Sequence, residues 1–299
     1  MNIVEVKNVS KKFDNFTALH KIDLTVKKGE VFGFIGPNGA GKSTTIRILL
    51  GILKPNQGTA ILFGKDAWKD AVEIHKRIAY VPGDVSLWPN LTGGEVIDLF
   101  MQLQGSKNRA KRDELIKRFD FDPTKKCRTY SKGNRQKIAL IAAFASDADL
   151  YILDEPTSGL DPLMERIFQE CVEEIKDQGK SVLLSSHILS EVERLCDRVA
   201  IIREGNIIET GTMEQLRHLT ETILKVETAK KVVGIEKLDG IRDIITEGNF
   251  LSFQVENDKI EDVMAFLVPY GIKKIESTPP TLEELFMRHY EISSDEKEV

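Results

Sequence analysis

Apolar residues in the first two hundred positions fall into short β-branched runs, separated by stretches with helical spacing. On this pattern, residues 3–6, 22–26, 31–35, 60–63, 78–81, 150–153, 182–185, 199–203 and 207–210 read as strands. Strands that alternate with helices predict an α/β fold with a largely parallel sheet. Between Trp88 and Asp147 the spacing becomes mainly helical. Thr92 and Glu95 form a capping box ahead of VIDLFMQL, a charged helix covers about 109–119, and a third helix runs over about 134–146. This block, about 88–147, reads as a helical subdomain inserted into the α/β domain of residues 1–218.

After about residue 218 the pattern changes again. A strand near 223–227 precedes a hairpin of IRDII and FLSFQV that turns through Glu247, Gly248 and Asn249. A helix at 260–267, a strand at 272–275, a Pro279-Pro280 break and a helix capped by Thr281 and Glu284 follow. The pattern predicts a small α/β module over 219–292, with a polar, acidic tail at 293–299.

Composition narrows the class. The 299 residues carry 42 Lys and Arg against 47 Asp and Glu, a net charge of −5, which argues against nucleic acid as the main partner. Hydrophobic residues at 41% and charged residues at 30% belong to a globular chain and exclude disorder, collagen and disulfide scaffolds. The longest apolar stretch, 138–145, falls far short of the roughly 18 to 20 residues that a membrane span needs. The start, MNIVEVKNVSKKF, lacks a basic region followed by an apolar one, so a cytoplasmic location is expected. Cys127, Cys171 and Cys196 are widely spaced with no Cys-x-x-Cys pair, and read as small hydrophobes.

The strand at 31–35 runs into Gly36-Pro37-Asn38-Gly39-Ala40-Gly41-Lys42-Ser43-Thr44, and the IRILLGIL that follows soon after is helical. Glycines let such a loop wrap so that backbone N–H groups converge on an anion, and the helix start adds roughly half a positive charge. Lys42 can reach the β and γ phosphates, and the Ser43 hydroxyl can ligate Mg²⁺. A nucleoside triphosphate is the expected ligand. The strand at 150–153 delivers Asp154 and Glu155 at its carboxyl end, where ligands gather in open parallel sheets. Adjacent strand residues face opposite ways, so the two carboxylates can differ in task. Asp154 suits the Mg²⁺ shell, and Glu155 suits a base for the attacking water.

GPNGAGKST, YSKGNRQ, LDEPTSGLD and SSH, in that order, resemble the motifs of the ATP-binding subunits of ABC transporters over residues 1 to about 218. The chain further resembles the drug-resistance ATPases that serve a separate ABC-2 type permease and carry a similar C-terminal extension. The resemblance implies a P-loop ABC ATPase core with an inserted helical subdomain, ATP and Mg²⁺ as ligands, and Lys42 and Thr44 on the phosphates. It also implies that Ser131 and Gly133 face the γ-phosphate held by a second ATP-binding subunit, with Asp161 at the seam. Each motif occurs once in the chain, so two antiparallel chains, most simply a homodimer, make two complete sites. His187 corresponds to the family residue that contacts the γ-phosphate, and Phe13 to the aromatic stacked on adenine; Phe16 and simple core packing are alternatives for that aromatic.

Two departures from the family pattern stand out. The Gln usual after the Tyr-Val-Pro strand is replaced by Gly83-Asp84, so Asp84 or a water must take its place in the metal shell. The usual Leu-Ser-Gly-Gly-Gln becomes Tyr130-Ser131-Lys132-Gly133-Asn134, which adds positive charge while keeping Ser131 and Gly133. The C-terminal module shows no metal or nucleophile constellation; it either stabilises a dimer, tunes activity or is purely structural. The expected protein is an ATPase peripheral to the inner face of the cell membrane through a separate integral membrane permease, most simply an exporter. A soluble ABC ATPase acting on ribosomes or DNA, or a catalytically weak regulatory module, would be the other readings.

Overall fold

The structure is a computed structural model that describes residues 1–106, 108–218 and 222–278. The chain divides into two compact units, Met1–Thr210 and Gly211–Val299. The chain opens with β1 (Asn2–Phe13), β2 (Phe16–Lys27), β3 (Val31–Ile35), α1 (Lys42–Leu49), β4 (Gln57–Leu62), β5 (Lys65–Asp66), α2 (Ala71–His75) and β6 (Ile78–Val81). The helical insertion supplies α3 (Gly93–Leu103), α4 (Arg109–Arg118) and α5 (Lys132–Phe144). The core resumes with β7 (Leu150–Asp154), α6 (Pro162–Asp177), β8 (Ser181–Ser186), α7 (Leu189–Leu195), β9 (Arg198–Arg203) and β10 (Asn206–Thr212).

Six strands form one sheet in the order β10-β9-β3-β8-β7-β6. The pairs β9–β3, β3–β8, β8–β7 and β7–β6 are parallel, as the alternation of strands and helices predicts. Every residue of β3, β7 and β8 is buried, because helices cover both faces of such a sheet. The strand pattern did not separate a second sheet from this one. β1, β2, β4 and β5 pair antiparallel in the order β2-β1-β4-β5, and their half-buried alternation distinguishes them from the fully buried parallel strands. One hydrophobic cluster joins the two sheets: Ile46, Ile48 and Leu49 of α1 pack among Phe32, Phe34, Leu183, Val4 and Leu24. The helix after the glycine loop is therefore anchored by the main core.

Local signals set the helix limits. Thr92 and Glu95 make the expected capping box on α3, with Thr92 N–H donating to Glu95 Oε2 at 2.6 Å and Glu95 N–H donating to Thr92 Oγ1 at 3.2 Å. Ser131 caps α5, which starts two residues earlier than its apolar pattern suggests, at Lys132. Conversely, α1 stops at Leu49, because Gly51 follows in the left-handed region with φ of 65°.

In the second unit, α8 (Met213–His218) precedes β11 (Thr222–Thr228), β12 (Ile241–Glu247), β13 (Phe250–Val255), α9 (Ile260–Leu267) and β14 (Ile272–Thr278). The four strands pair antiparallel in the order β12-β13-β11-β14. Leu224, Val226, Leu251, Phe253 and Val255 pack with Val263 and Leu267 of α9 to make a separate core. The expected Pro279-Pro280 break, the helix capped by Thr281 and Glu284, and the tail lie outside the described residues.

Phe34 is fully buried in the shared cluster, so truncating it removes contacts with both layers at once. Phe34→Ala is expected to lower unfolding stability by about 3–5 kcal/mol, measured by urea denaturation.

Candidate functional site

Parallel pairing brings the carboxyl ends of β3, β8 and β7 to one edge of the sheet, with β8 in the middle. From β3 the chain enters the glycine loop. A Cβ on Gly36 would fall 2.3 Å from the Ile202 carbonyl oxygen, and Gly41 sits at φ of 115° where a Cβ would fall 2.7 Å from Leu19 Cδ2, so the loop passes here only without side chains. Ala40 N–H donates to Pro37 O at 3.2 Å and closes the turn. Asn38, Gly39 and Ser43 are exposed, and Pro37 and Thr44 are half-buried. No side chain caps the start of α1 and no acidic residue lies in its first turn, so its N–H groups and dipole favour an incoming anion.

Lys42 is 4% exposed. Its ammonium donates to Gly36 O at 2.6 Å and Pro37 O at 3.2 Å, and lies 3.3 Å from Glu155 Oε1. A buried ammonium needs such partners, because desolvation otherwise favours its neutral form. From β7, Asp154 is buried and accepts a hydrogen bond from the Ser185 hydroxyl. Its charge, together with burial, pushes the Tyr80 phenol up to about 12, with burial the larger cause. The next residue, Glu155, has φ of 47°, a left-handed conformation that costs a residue with a side chain about 1–3 kcal/mol. Its N–H donates to Ser185 O at 3.0 Å and to Ser185 Oγ at 3.2 Å, which holds the turn. Past β8, the exposed His187 places Nδ1 3.5 Å from Glu155 Oε2.

Lys42, Glu155 and His187 thus meet directly, with Asp154 one residue behind Glu155. Ser131 and Gly133 do not join this group through any hydrogen bond or ion pair among the described residues. Ser131 Oγ accepts from Asn134 N–H at 3.3 Å at the start of α5. A Cβ on Gly133 would fall 2.4 Å from Gly159 O, so α5 begins in close contact with the loop that follows Glu155. Lys132 adds a tether to that loop by donating to Ser158 Oγ at 2.7 Å. Asp161 caps α6, accepting from Leu163 N–H at 3.1 Å and Met164 N–H at 3.0 Å.

Gly83 is the residue that abuts the acidic pair: a Cβ there would lie 3.2 Å from Asp154 O and 3.6 Å from Glu155 Cβ. Asp84 is exposed and makes no hydrogen bond or ion pair among the described residues. Phe13 and Phe16 face each other across the β1–β2 turn and are 42% and 64% exposed, so neither is a core residue. The Lys11 ammonium lies 4.9 Å from the Phe13 ring centre. Sequence reasoning did not single out Ser185, which binds both Asp154 and Glu155, although it stands in the same Ser-Ser-His run as His187. Among the described residues no three His, Cys, Asp or Glu cluster as a metal cage. Ser43 and Asp154 offer hard oxygen donors, the set that suits a magnesium ion whose remaining positions go to phosphate and water.

Comparisons with known proteins agree with this geometry. Residues 19–158 match the ABC transporter family, and residues 211–290 match the C-terminal domain of DrrA1-3-like ATP-binding proteins. An uncharacterised ABC transporter ATP-binding protein of Methanocaldococcus jannaschii is 33% identical over 282 residues, covering 91% of this chain and 97% of that protein. The daunorubicin/doxorubicin resistance ATP-binding protein DrrA of Streptomyces peucetius is 36% identical over 219 residues, covering 72% of this chain and 66% of that protein. A solved structure of an ATP-binding subunit of an ABC transporter is 32% identical, with a TM-score of 0.68 over 73% of this chain and 92% of that one. With its glycine loop, acidic strand end and parallel sheet, the chain belongs to the ABC transporter ATP-binding proteins and is an ATPase of the P-loop fold.

Proposed function

We propose that this chain is the motor subunit of an exporter, hydrolysing ATP to drive a separate integral membrane permease from the cytoplasmic face of the cell membrane. The meeting of Lys42, Glu155 and His187 supports the hydrolytic part most directly, since three segments distant in sequence bring a cation, a carboxylate and an imidazole to one point. Backbone N–H groups of the glycine loop, with Lys42 and Thr44, hold the phosphates. Phe13, exposed at its hairpin, stacks on the adenine. Ser43 and Asp154 would hold Mg²⁺, which neutralises phosphate charge when bound. Glu155 accepts a proton from the attacking water, and His187 orients the γ-phosphate.

Ser131 and Gly133 make no hydrogen bond or ion pair to Lys42, Glu155 or His187 among the described residues, and we assign them to the site of a second subunit, most simply a second copy. Asp161 then lies at the seam between the two. The likeness of residues 211–290 to the DrrA1-3 C-terminal domain supports the exporter reading. Among the described residues no helix is long and apolar enough to cross a membrane. An apolar groove of about 470 Å³ offers a seat for the permease, between Ile52 and Leu50 of the core, the chain after β6, and Phe100 and Leu103 of α3. Gly83 lies in that intervening chain, so an occupant of the groove sits next to the acidic strand end.

Glu155→Gln should retain ATP binding and lower magnesium-dependent turnover by about 10² to 10⁴, as expected for loss of a general base. Light scattering should show this variant dimerising on ATP; a monomer with full activity would contradict the shared site. Ile52 and Leu103 are 58% and 72% exposed, so Ile52→Asp with Leu103→Asp should leave the isolated chain folded and active. The same double variant should lose co-purification of the permease from detergent-solubilised membranes.

A further inference from the structure

Asp154 of β7 lies opposite Ser185 of β8, and just past this register each strand releases a side chain assigned above to hydrolysis, Glu155 from one and His187 from the other. The two segments then diverge towards α6 and α7. Their contact at 3.5 Å spans the front of the gap. Behind it stands Glu191, on the first turn of α7 and only 5% exposed. Glu191 Oε2 accepts from the Ser186 hydroxyl at 2.8 Å, and Ser186 Oγ accepts from Ile188 N–H at 2.9 Å. Ser186, one neighbour of His187, is therefore tied to a buried carboxyl, and its Oγ in turn holds the other neighbour, Ile188.

On the other side, the buried Thr157 brings its hydroxyl close to the same carboxyl without completing a hydrogen bond to Oε1, which is buried with no partner. The titratable groups that face Glu191 from packed elements are Glu165 on α6 and Cys196 at the end of α7, and no cation pairs with it among the described residues. An ionised carboxylate is poorly served there. A neutral acid fits: one oxygen accepts from Ser186 while the protonated one points a donor at Thr157.

We propose that Glu191 is a positioning residue for His187, acting as the neutral acid that ties the β8–α7 turn to the loop following Glu155. The inference rests on the assignment of Glu155 and His187 to hydrolysis. Burial raises the Glu191 carboxyl from 4.5 to about 7, outweighing the Ser186 and Thr157 hydroxyls, which lower it, and the negative charge of Glu165 adds a smaller rise. A folded-state value above the unfolded one means that the acid's contribution to stability is complete below about 4.5 and is lost as pH rises through about 7. The tie on His187 then loosens over the upper part of that range.

The test uses the full chain, with steady-state ATP hydrolysis and thermal unfolding followed from pH 5 to 8.5. Glu191→Ala is expected to lower kcat about 10-fold or more with KM for ATP within about twofold, the signature of misplacement rather than lost binding. Glu191→Gln, a permanently neutral side chain of the same shape, should recover most of that loss and flatten the decline in Tm that wild type shows towards pH 8. Unchanged kcat in Glu191→Ala, or a Tm profile of Glu191→Gln that overlays wild type, overturns the proposal. Glu155→Gln is run alongside: full turnover there would sink the catalytic assignment, while the Tm profiles would still decide the protonation state of Glu191.

Discussion

In-register parallel pairing of β3, β8 and β7 is the constraint on which the site depends. Ile35 lies opposite Ser186, and Asp154 lies opposite Ser185, so the glycine loop, the acidic pair and the His187 turn all leave the sheet at the same level. A slip of one residue would exchange the side chains packed on the two covered faces of these strands and carry Asp154 away from the Ser185 hydroxyl. Complete burial of all three strands makes that slip costly. Register, and with it the site, is held by the core rather than by the loops.

The loops then convert that register into chemistry through conformations that are unfavourable by themselves. Glu155 occupies the left-handed region, and two hydrogen bonds from its N–H to Ser185 hold it there. The glycine loop threads past the Ile202 carbonyl and Leu19, where a side chain would not fit. Two loop carbonyls and Glu155 surround the buried Lys42 ammonium. On the proposed reading, a phosphate oxygen would compete for these ammonium contacts.

The helical insertion is coupled to this edge at two places. Lys132 and Gly133, at the start of α5, touch Ser158 and Gly159 in the loop after Glu155, and the buried Gln136 donates to Pro82 O at 3.4 Å, next to Gly83. α5 therefore contacts both chain segments that flank the acidic pair.

Short-range chemistry was legible in the sequence: the glycine loop with Lys42, the strand ending in Asp154-Glu155, the capping box at Thr92 and Glu95, and the order of the parallel strands' apolar runs. Each is set by neighbours within a few residues, through backbone freedom, capping and the period of burial. Partition of the strands into two sheets was not legible, since β1 and β3 both read as short apolar runs, and only packing against α1 decides which is half-buried. Nor could the sequence reveal that Ser185 serves both acidic residues, that Gly133 lies against Gly159, or that Glu191 is buried beside Thr157. Those pairs join positions roughly 26 to 34 residues apart, and only the tertiary pairing of β7 with β8 and of α5 with the following loop brings them together.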